Sequence, residues 1–201
     1  MQLVLATNNE DKIREIMHLL DDLPVTILTR DDFLEFPDPE ETGATLQENA
    51  MQKAKAIQAF CDLPALADDS GLEVDALNGA PGVYSSRYAG ENVTYRDNNE
   101  KLLRELGDVP ADKRTAHFRC VIAIAWTSDE VETVEGHADG RITENIGGKE
   151  GFGYDPVFYY PPTGKRFSEM TLEEKSLVSH RGKALQEIRT VIINRLNKAH
   201  L

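Results

Sequence analysis

Two adjacent aspartates, Asp68 and Asp69, follow an apolar run in the first half of the chain. The sequence predicts a short strand over residues 64–67 that ends where these aspartates begin, and Ser70-Gly71 follows them. Neighbouring carboxylates repel each other unless a cation or a proton offsets the repulsion. Their oxygens suit Mg²⁺ or Mn²⁺, and a carboxylate that stays off the metal can take a proton from water. The alternative is an Asx turn that closes the strand.

A second pair of carboxylates, Glu40 and Glu41, ends an acidic loop over residues 31–42. This pair could bind the same metal ion or lie in solvent, and the sequence leaves both interpretations open. The predicted helix that follows the loop carries Asn49 and Lys53 four residues apart. Residues with this spacing share one helix face, so both side chains can point at one site.

Residues 7–12, with the sequence TNNEDK, join a predicted strand to a predicted helix. The backbone N–H groups and the positive dipole end at such a turn suit an anion. Lys12 falls in the first helical turn, where a cation is unfavourable for the dipole, and a bound phosphate would explain its position. The alternative is an ordinary turn that an asparagine side chain caps. The turn lacks the glycine pattern of a P-loop.

Residues 151–156, with the sequence GFGYDP, place two aromatic side chains among glycines. Glycines let the backbone approach a flat ligand, and an aromatic ring can stack on a nucleobase. The alternative is a tight turn whose aromatic rings belong to the core.

Basic residues cluster near the junction of two predicted C-terminal helices, at Lys175 and in the run Ser179-His180-Arg181. Cations at the start of a helix oppose its dipole unless an acceptor-rich ligand lies there. The alternative is a solvated basic face.

Helix and strand patterns alternate along the chain and define the elements that must position these side chains. A capping box of Thr45 and Glu48 predicts the start of the helix that carries Asn49. An alternating pattern predicts a long strand over residues 115–127, and a hairpin turn leads from it to a strand over residues 131–135. This antiparallel pair favours an α/β fold with a mixed sheet over a purely parallel one. Further strands are predicted over residues 2–6, 24–28 and 157–160, and further helices over residues 94–106, 171–178 and 181–197.

Composition and charge exclude several classes of protein. The 201 residues are enough for one domain, over residues 1–201, with a sizeable core. The net charge of −13 argues against nucleic acids and anionic membranes as partners. We expect a cytoplasmic protein, because neither a secretory signal nor a membrane span is present and the two cysteines have no metal or disulfide spacing.

Taken together and in this order, five segments resemble the inosine/xanthosine triphosphate pyrophosphatase family over nearly the whole chain. They are ATNNEDK, ETGATLQENA, ADDSGLEVDALNGAPGVYSSRYAG, GFGYDPVF and EEKSLVSHRGKA. The resemblance implies an elongated α/β protein of two lobes, with a central mixed sheet flanked by helices, a long cleft between the lobes, and a homodimer. It also implies a Mg²⁺-dependent enzyme that hydrolyses dITP, ITP and XTP to the monophosphate and pyrophosphate.

The resemblance further assigns roles to individual residues of this sequence. Asp69 matches the catalytic acid–base and metal residue, with Asp68 beside it as a metal ligand. Either Glu40 or Glu41 matches the second metal ligand, and Glu41 is favoured because it directly precedes Thr42-Gly43. The substrate-binding positions that match are Thr7, Asn8, Asn9, Lys12, Ser70, Phe152, Gly153, Tyr154, Asp155, Lys175, His180 and Arg181, and Lys53 joins them by its place beside Asn49.

Charge and hydrogen bonding suggest how such a site would select its base. Lys12, Lys53 and Lys175 would hold phosphate charge, whereas His180 and Arg181 would donate to O6 of hypoxanthine or xanthine. An adenine amino group would then face donors, which is a buried mismatch. Two other interpretations stay open at this point: a pyrophosphatase for other modified nucleotides, and a nucleotide sensor without turnover.

Overall fold

The computed structural model describes residues 1–149 and 151–198. The chain divides into two compact units. The first comprises Met1–Asp69, Cys120–Gly136 and the described residues from Arg181 onward, and the second comprises Ser70–Arg119 and the described residues from His137 to His180. The cleft that the family resemblance implies stays a prediction.

Strands and helices alternate along the described chain, as expected for an α/β protein. The strands are β1 (Gln2–Leu5), β2 (Thr26–Leu28), β3 (Ala65–Val74), β4 (Pro81–Gly82), β5 (Thr115–Ala125), β6 (Val131–Ile142), β7 (Phe158–Tyr160) and β8 (Lys165–Arg166). The helices are α1 (Glu10–Leu20), α2 (Leu46–Cys61), α3 (Tyr95–Leu106), α4 (Leu172–Val178) and α5 (His180–Lys198).

The described strands form a mixed sheet in the order β2-β1-β3-β5-β6-β7-β8, with β4 paired to β3 outside this path. Strand β1 is parallel to β2 and to β3, whereas β7 is antiparallel to β6 and to β8. The predicted mixed sheet is therefore confirmed. The register sets Leu5 of β1 opposite Leu66 of β3. The turn after β1 therefore begins near Asp68 and Asp69, which come soon after Leu66.

Each unit has a hydrophobic core of its own. Helix α1 contributes Ile16 and Leu20 to the first core, because residues four apart share one face of a helix. The first core also contains Leu3, Leu5, Leu66, Ile122, Ile124, Ile188 and Ile192. The second core contains Leu72, Leu102, Leu106, Phe118, Tyr154, Phe158, Phe167 and Met170.

Strand β3 is longer than the sequence predicted, and this changes the setting of the two aspartates. The expected strand over residues 64–67 continues to Val74, so Asp68 and Asp69 lie inside β3 and not at its end. The Asx turn considered above is therefore wrong. The apolar residues Leu72 and Val74, both fully buried, carry the strand beyond the charged pair.

Two smaller expectations are also corrected. Strand β6 continues past residue 135, where the sequence predicted its end, to Ile142. Gly140 lies inside it, where a Cβ would collide with the ring of Phe158. At the start of α2, Thr45 accepts from the backbone N–H of Glu48, but the Glu48 carboxylate accepts from Ala44 N–H at 2.7 Å. The predicted capping box is thus half formed.

No helix among residues 1–149 and 151–198 is long and apolar enough to cross a membrane.

Replacing Phe158 with alanine should cost about 3–5 kcal/mol of unfolding free energy. Its fully buried ring packs against the rings of Phe118 and Phe167, with centroids 4.6 and 4.8 Å away. Urea unfolding of wild type and Phe158→Ala gives the difference. Leu34→Ala is the control: Leu34 is an exposed side chain, and its removal should change stability by less than about 0.5 kcal/mol. Equal losses for both variants would contradict this account of the core.

Candidate functional site

In the first unit, Asp68 lies at the centre of a buried charge cluster. One of its carboxylate oxygens, Oδ2, is 3.1 Å from Lys12 Nζ and 3.2 Å from Arg181 Nε. Arg181 also donates from Nη1 to Glu15 at 2.7 Å. Asp68 is 1% exposed and Arg181 is 3% exposed, so these charges compensate one another away from water.

Local structure positions each member of the cluster. Asn9 caps α1 by accepting from the backbone N–H groups of Asp11 and Lys12, which sets the direction in which α1 leaves the turn. Lys12 and Glu15 lie three residues apart on α1 and so face the same side. Arg181 is the second residue of α5. Lys12 therefore has a carboxylate partner within the protein, and a bound phosphate is not needed to explain its position.

Asp69 points to the opposite face of β3, because successive residues of a strand alternate. There it meets α2. Asn49 Nδ2 donates to its Oδ2 at 3.1 Å, and Lys53 Nζ lies 3.5 Å from its Oδ1. The same Lys53 Nζ donates to Glu41 at 2.7 Å and to the backbone carbonyl of Asp68 at 2.9 Å. The predicted pairing of Asn49 and Lys53 on one site is confirmed.

The two adjacent aspartates have pKa values shifted in opposite directions. Burial by itself raises the pKa of the Asp68 carboxyl, but Lys12, Arg181 and Lys53 together outweigh burial and lower it. Burial raises the pKa of Asp69, and the neighbouring Glu41 carboxylate adds to the rise although Lys53 opposes it. The structure thus keeps Asp68 ionised and makes Asp69 the more basic carboxylate of the pair.

The Lys53 ammonium itself has a raised pKa. Burial by itself lowers this pKa, but the carboxylates of Asp69, Glu41 and Asp68 outweigh burial and raise it. Lys53 is therefore a cation that holds two carboxylates from different elements at one place.

A divalent metal ion fits this donor set. Glu41 and Asp69 converge on a single ammonium group, which marks a place where a cation offsets both charges. Mg²⁺ is commonly held by one or two carboxylates plus water and substrate phosphates. Among the residues that the structure describes, no group of three or more His, Cys, Asp or Glu side chains is placed to hold a metal ion. Glu40 is exposed, so the geometry favours Glu41, and Asp68 is committed to Lys12 and Arg181.

The turn before α1 is ordered by its own side chains. Thr7 Oγ1 accepts from the backbone N–H of Asn9 at 3.3 Å. Asn8 is exposed, and its Nδ2 lies 3.5 Å from the Asp38 carboxylate in the acidic loop. The expected capping by asparagine is confirmed, and phosphate binding by this turn stays a prediction.

In the second unit, the GFGYDP turn is built around the buried Asp155. Its Oδ2 accepts from the backbone N–H of Phe152 at 2.9 Å and from Lys175 Nζ at 2.8 Å. Lys175 Nζ also lies 4.5 Å from the centre of the Phe152 ring. Gly151 has φ +83°, and a Cβ at this position would collide with the Asp155 carboxylate. Lys175 thus contacts the aromatic turn, and the phosphate-binding role that the sequence suggested for it stays a prediction.

The two aromatic rings of the turn have different surroundings. Tyr154 is buried in the second core and donates to the backbone carbonyl of Ser85 at 2.9 Å, so it is a core residue that anchors the turn. Phe152 is half-buried beside the Tyr95 ring, with centroids 6.1 Å apart. Gly153, with φ +59°, has open space where a Cβ would lie. Of the two predicted interpretations, the core one applies to Tyr154 and the stacking one remains for Phe152.

His180 is buried in the second unit and stacks on Phe118, with centroids 4.4 Å apart and ring planes 4° apart. The predicted solvated basic face is therefore wrong for Lys175, His180 and Arg181, all of which are buried. Ser70, directly after Asp69 in β3, is half-buried. Hydrogen bonds from His180 or Arg181 to a nucleobase stay a prediction. The contacts of Arg181 with Asp68 and Glu15 give it a structural role in the charge cluster as well.

Sequence reasoning missed Glu15 and Asn99. Glu15 lies one helical turn after Lys12, and a carboxylate at that spacing was a signal for a shared partner. Asn99 lies on the same face of α3 as the buried Leu102 and Leu106, where an amide is unusual. A polar side chain on an apolar stripe was the signal that this helix makes a specific contact.

The opposite pKa shifts predict opposite effects of two neighbouring substitutions on stability. Because folding lowers the pKa of Asp68, its charged carboxylate stabilises the fold at pH values above 3.8, the ordinary pKa of the group. This contribution to stability is lost as the pH falls below 3.8. Asp68→Asn should therefore lower the unfolding free energy by about 3–5 kcal/mol at pH 7, and the deficit should narrow below pH 3.8.

The matched control is Asp69→Asn, measured by urea unfolding over the same pH range. Its raised pKa means that the charge of Asp69 opposes folding at neutral pH, so this variant should not be less stable than wild type. Equal losses for the two variants at pH 7 would contradict the division between the aspartates.

Comparison with known proteins gives relatives over nearly the full chain. The sequence matches the Ham1 family over residues 3–191. A dITP/XTP pyrophosphatase of Geobacter sulfurreducens is 51% identical over 184 residues, which cover 92% of this chain and 92% of that protein. A dITP/XTP pyrophosphatase of Desulforamulus reducens is 50% identical over 196 residues, which cover 98% and 97% of the two chains.

Solved structures agree with the sequence relatives. A HAM1 protein from Coxiella burnetii superposes with a TM-score of 0.89 at 42% identity, covering 96% of this chain and 99% of the other. The Ham1 protein of Staphylococcus aureus gives a TM-score of 0.87 at 38% identity, covering 97% and 100%. Since sequence and fold match over almost the whole length, the chain belongs to the Ham1 family.

Proposed function

We propose that this protein hydrolyses the triphosphates of non-standard purine nucleosides, namely dITP, ITP and XTP, to the monophosphate and pyrophosphate. The observation that carries the proposal is the Asp69 carboxylate, which is buried, has a raised pKa and shares one lysine with Glu41. The names of the relatives from Geobacter sulfurreducens and Desulforamulus reducens, both dITP/XTP pyrophosphatases, support the substrate class.

In the proposed reaction, the first unit removes one proton from the attacking water and neutralises the charge of the phosphates. Asp69 takes a proton from a water molecule while the oxygen of that water attacks the α-phosphorus. The bond between the α-phosphorus and the departing pyrophosphate then breaks. Asn49 and Lys53 hold the Asp69 carboxylate in place by the contacts given above. Lys12, Lys53 and the N-terminal turn of α1 offer positive charge to the phosphates.

Mg²⁺ or Mn²⁺, when bound, would neutralise phosphate oxygens and polarise the phosphoryl group under attack. Glu41 and Asp69 are the residues that would hold the ion. Phosphoryl transfer demands charge stabilisation and positioning more than covalent catalysis, and this chain offers residues for both.

The second unit offers the groups that suit a base. The half-buried ring of Phe152 suits stacking, and the Lys175 ammonium beside it is a donor. His180 of this unit and Arg181 of the first unit remain the proposed donors to O6, which adenine lacks. Homodimer formation, which the family resemblance implies, and the cytoplasmic location expected from the sequence belong to the same proposal.

The test is pyrophosphate release from dITP, XTP, dGTP, dATP and dTTP in the presence of Mg²⁺. Release should be fastest with dITP and XTP, and Asp69→Asn should lower kcat by about 10²-fold or more, because an amide does not accept the proton. Glu35→Gln, an exposed carboxylate of the acidic loop, is the control and should retain wild-type kcat. Fastest release from dTTP would contradict the purine assignment and favour a pyrimidine nucleotide as substrate. Tight dITP binding without release would indicate a sensor.

The metal assignment makes a separate prediction about Glu41. Glu41→Gln removes one of the two carboxylates at Lys53, so the Mg²⁺ concentration for half-maximal activity should rise about tenfold or more. Activity is measured over a Mg²⁺ titration, after EDTA treatment that should abolish it. A larger shift for Glu40→Gln than for Glu41→Gln would move the metal ligand to Glu40.

A further inference from the structure

Asn99 on α3 makes a hydrogen bond to the GFGYDP turn. Its side chain is 2% exposed, and its Nδ2 donates to the carbonyl oxygen of Gly153 at 2.7 Å. The second Nδ2 hydrogen goes to the carbonyl of Tyr95, also at 2.7 Å. Because both partners are acceptors, the amide must point its NH₂ group at them, and its orientation is therefore determined by the contacts.

The stability of α3 does not explain an asparagine at this position. Tyr95 lies four residues before Asn99, so its carbonyl already belongs to the i to i−4 pattern of the helix. Within the part of the chain that the structure describes, Asn99 Oδ1 is buried and accepts no hydrogen bond, which is a cost to folding. What Asn99 adds beyond its own helix is the bond to Gly153.

That bond holds the most permissive residue of the turn. The residues on either side of Gly153 have anchors: Phe152 N–H donates to Asp155, and Tyr154 donates to Ser85. Gly153 has φ +59° and no Cβ, so its peptide could rotate at little steric cost. The Asn99 amide therefore restrains the backbone next to the Phe152 ring.

We propose that Asn99 is a positioning residue for base selection, acting through the carbonyl of Gly153. This inference rests on the function proposed above, in which Phe152 stacks on the base. By holding the Gly153 peptide, Asn99 keeps the backbone beside that ring in one orientation. Small displacements of positioning groups lower reaction rates by large factors. Loss of Asn99 should therefore lower the rate most for the substrate whose base fits the turn best.

The neighbouring Asn98 is a matched control. It is 3% exposed, lies on the same helix and also makes two hydrogen bonds, donating to the carbonyl of Ser86 at 3.0 Å and accepting from Ala89 N–H at 2.7 Å. These contacts hold residues 86–89 and not the turn. Loss of either asparagine thus removes a similar number of hydrogen bonds, but only the loss of Asn99 releases Gly153.

The experiment compares kcat/KM for pyrophosphate release from dITP and dATP in wild type, Asn99→Ala and Asn98→Ala. Asn99→Ala should lower the ratio of dITP to dATP about tenfold, mainly through KM for dITP, and Asn98→Ala should leave the ratio within about twofold of wild type. An unchanged ratio in Asn99→Ala, or an equal fall in Asn98→Ala, would overturn the proposal.

Two further measurements separate the possible failures. If Asn99→Ala does not fold, Asn99→Ser replaces it, because serine can bond the carbonyl four residues earlier but is too short for Gly153. Calorimetric binding of dIMP and dAMP to wild type and the Asn99 variant needs no turnover. If wild type releases no pyrophosphate, the proposed function fails, and the inference then stands or falls on whether the variant loses its preference for dIMP.

Discussion

The burial of a charged carboxylate at Asp68 constrains the whole first unit. An ionised side chain that is 1% exposed is stable only with opposite charges at contact distance, and Lys12 and Arg181 supply them. Arg181 lies 113 positions after Asp68. The cluster therefore fixes three remote parts of the chain relative to one another: the start of α1, the middle of β3 and the start of α5.

The alternation of β3 turns this structural constraint into a functional arrangement. One face of the strand is taken by Asp68 and its cations, so the other face is left to Asp69, whose neighbours come from α2 and the acidic loop. Adjacent residues thus receive different environments without any loop between them. One carboxylate is held ionised as part of the framework, and the other is the more basic of the two, which suits the proton transfer proposed for it.

The second unit solves a different problem, which is to hold a glycine-rich turn in one conformation. Burial of Asp155 with Lys175 closes the turn from one side, and Tyr154 anchors it to Ser85 from another. The stacked rings of His180 and Phe118 lie within the same unit. Burying polar side chains lowers stability unless hydrogen bonds compensate them. Buried polar anchors around a turn are therefore typical of a site whose shape serves a function.

The sequence by itself determined the α/β class, the mixed sheet and most helices. It also determined the residue types around Asp69 and in the GFGYDP turn. Those features follow from local periodicity and from motifs, as at α1, where apolar spacing and the Asn9 cap agree. It could not determine that β3 continues through Asp68 and Asp69, because charged residues in a strand look like its end until their partners are known.

Only the tertiary structure decided which charges meet. Lys12 and Arg181 converge on Asp68, and Lys175 pairs with Asp155, where local reasoning expected bound phosphate or a solvated surface. Such pairings join residues far apart in the chain, and the low dielectric of a buried site makes them decisive for pKa and geometry. Periodicity carries no information about them, since it reports which face of an element is buried and not what lies opposite.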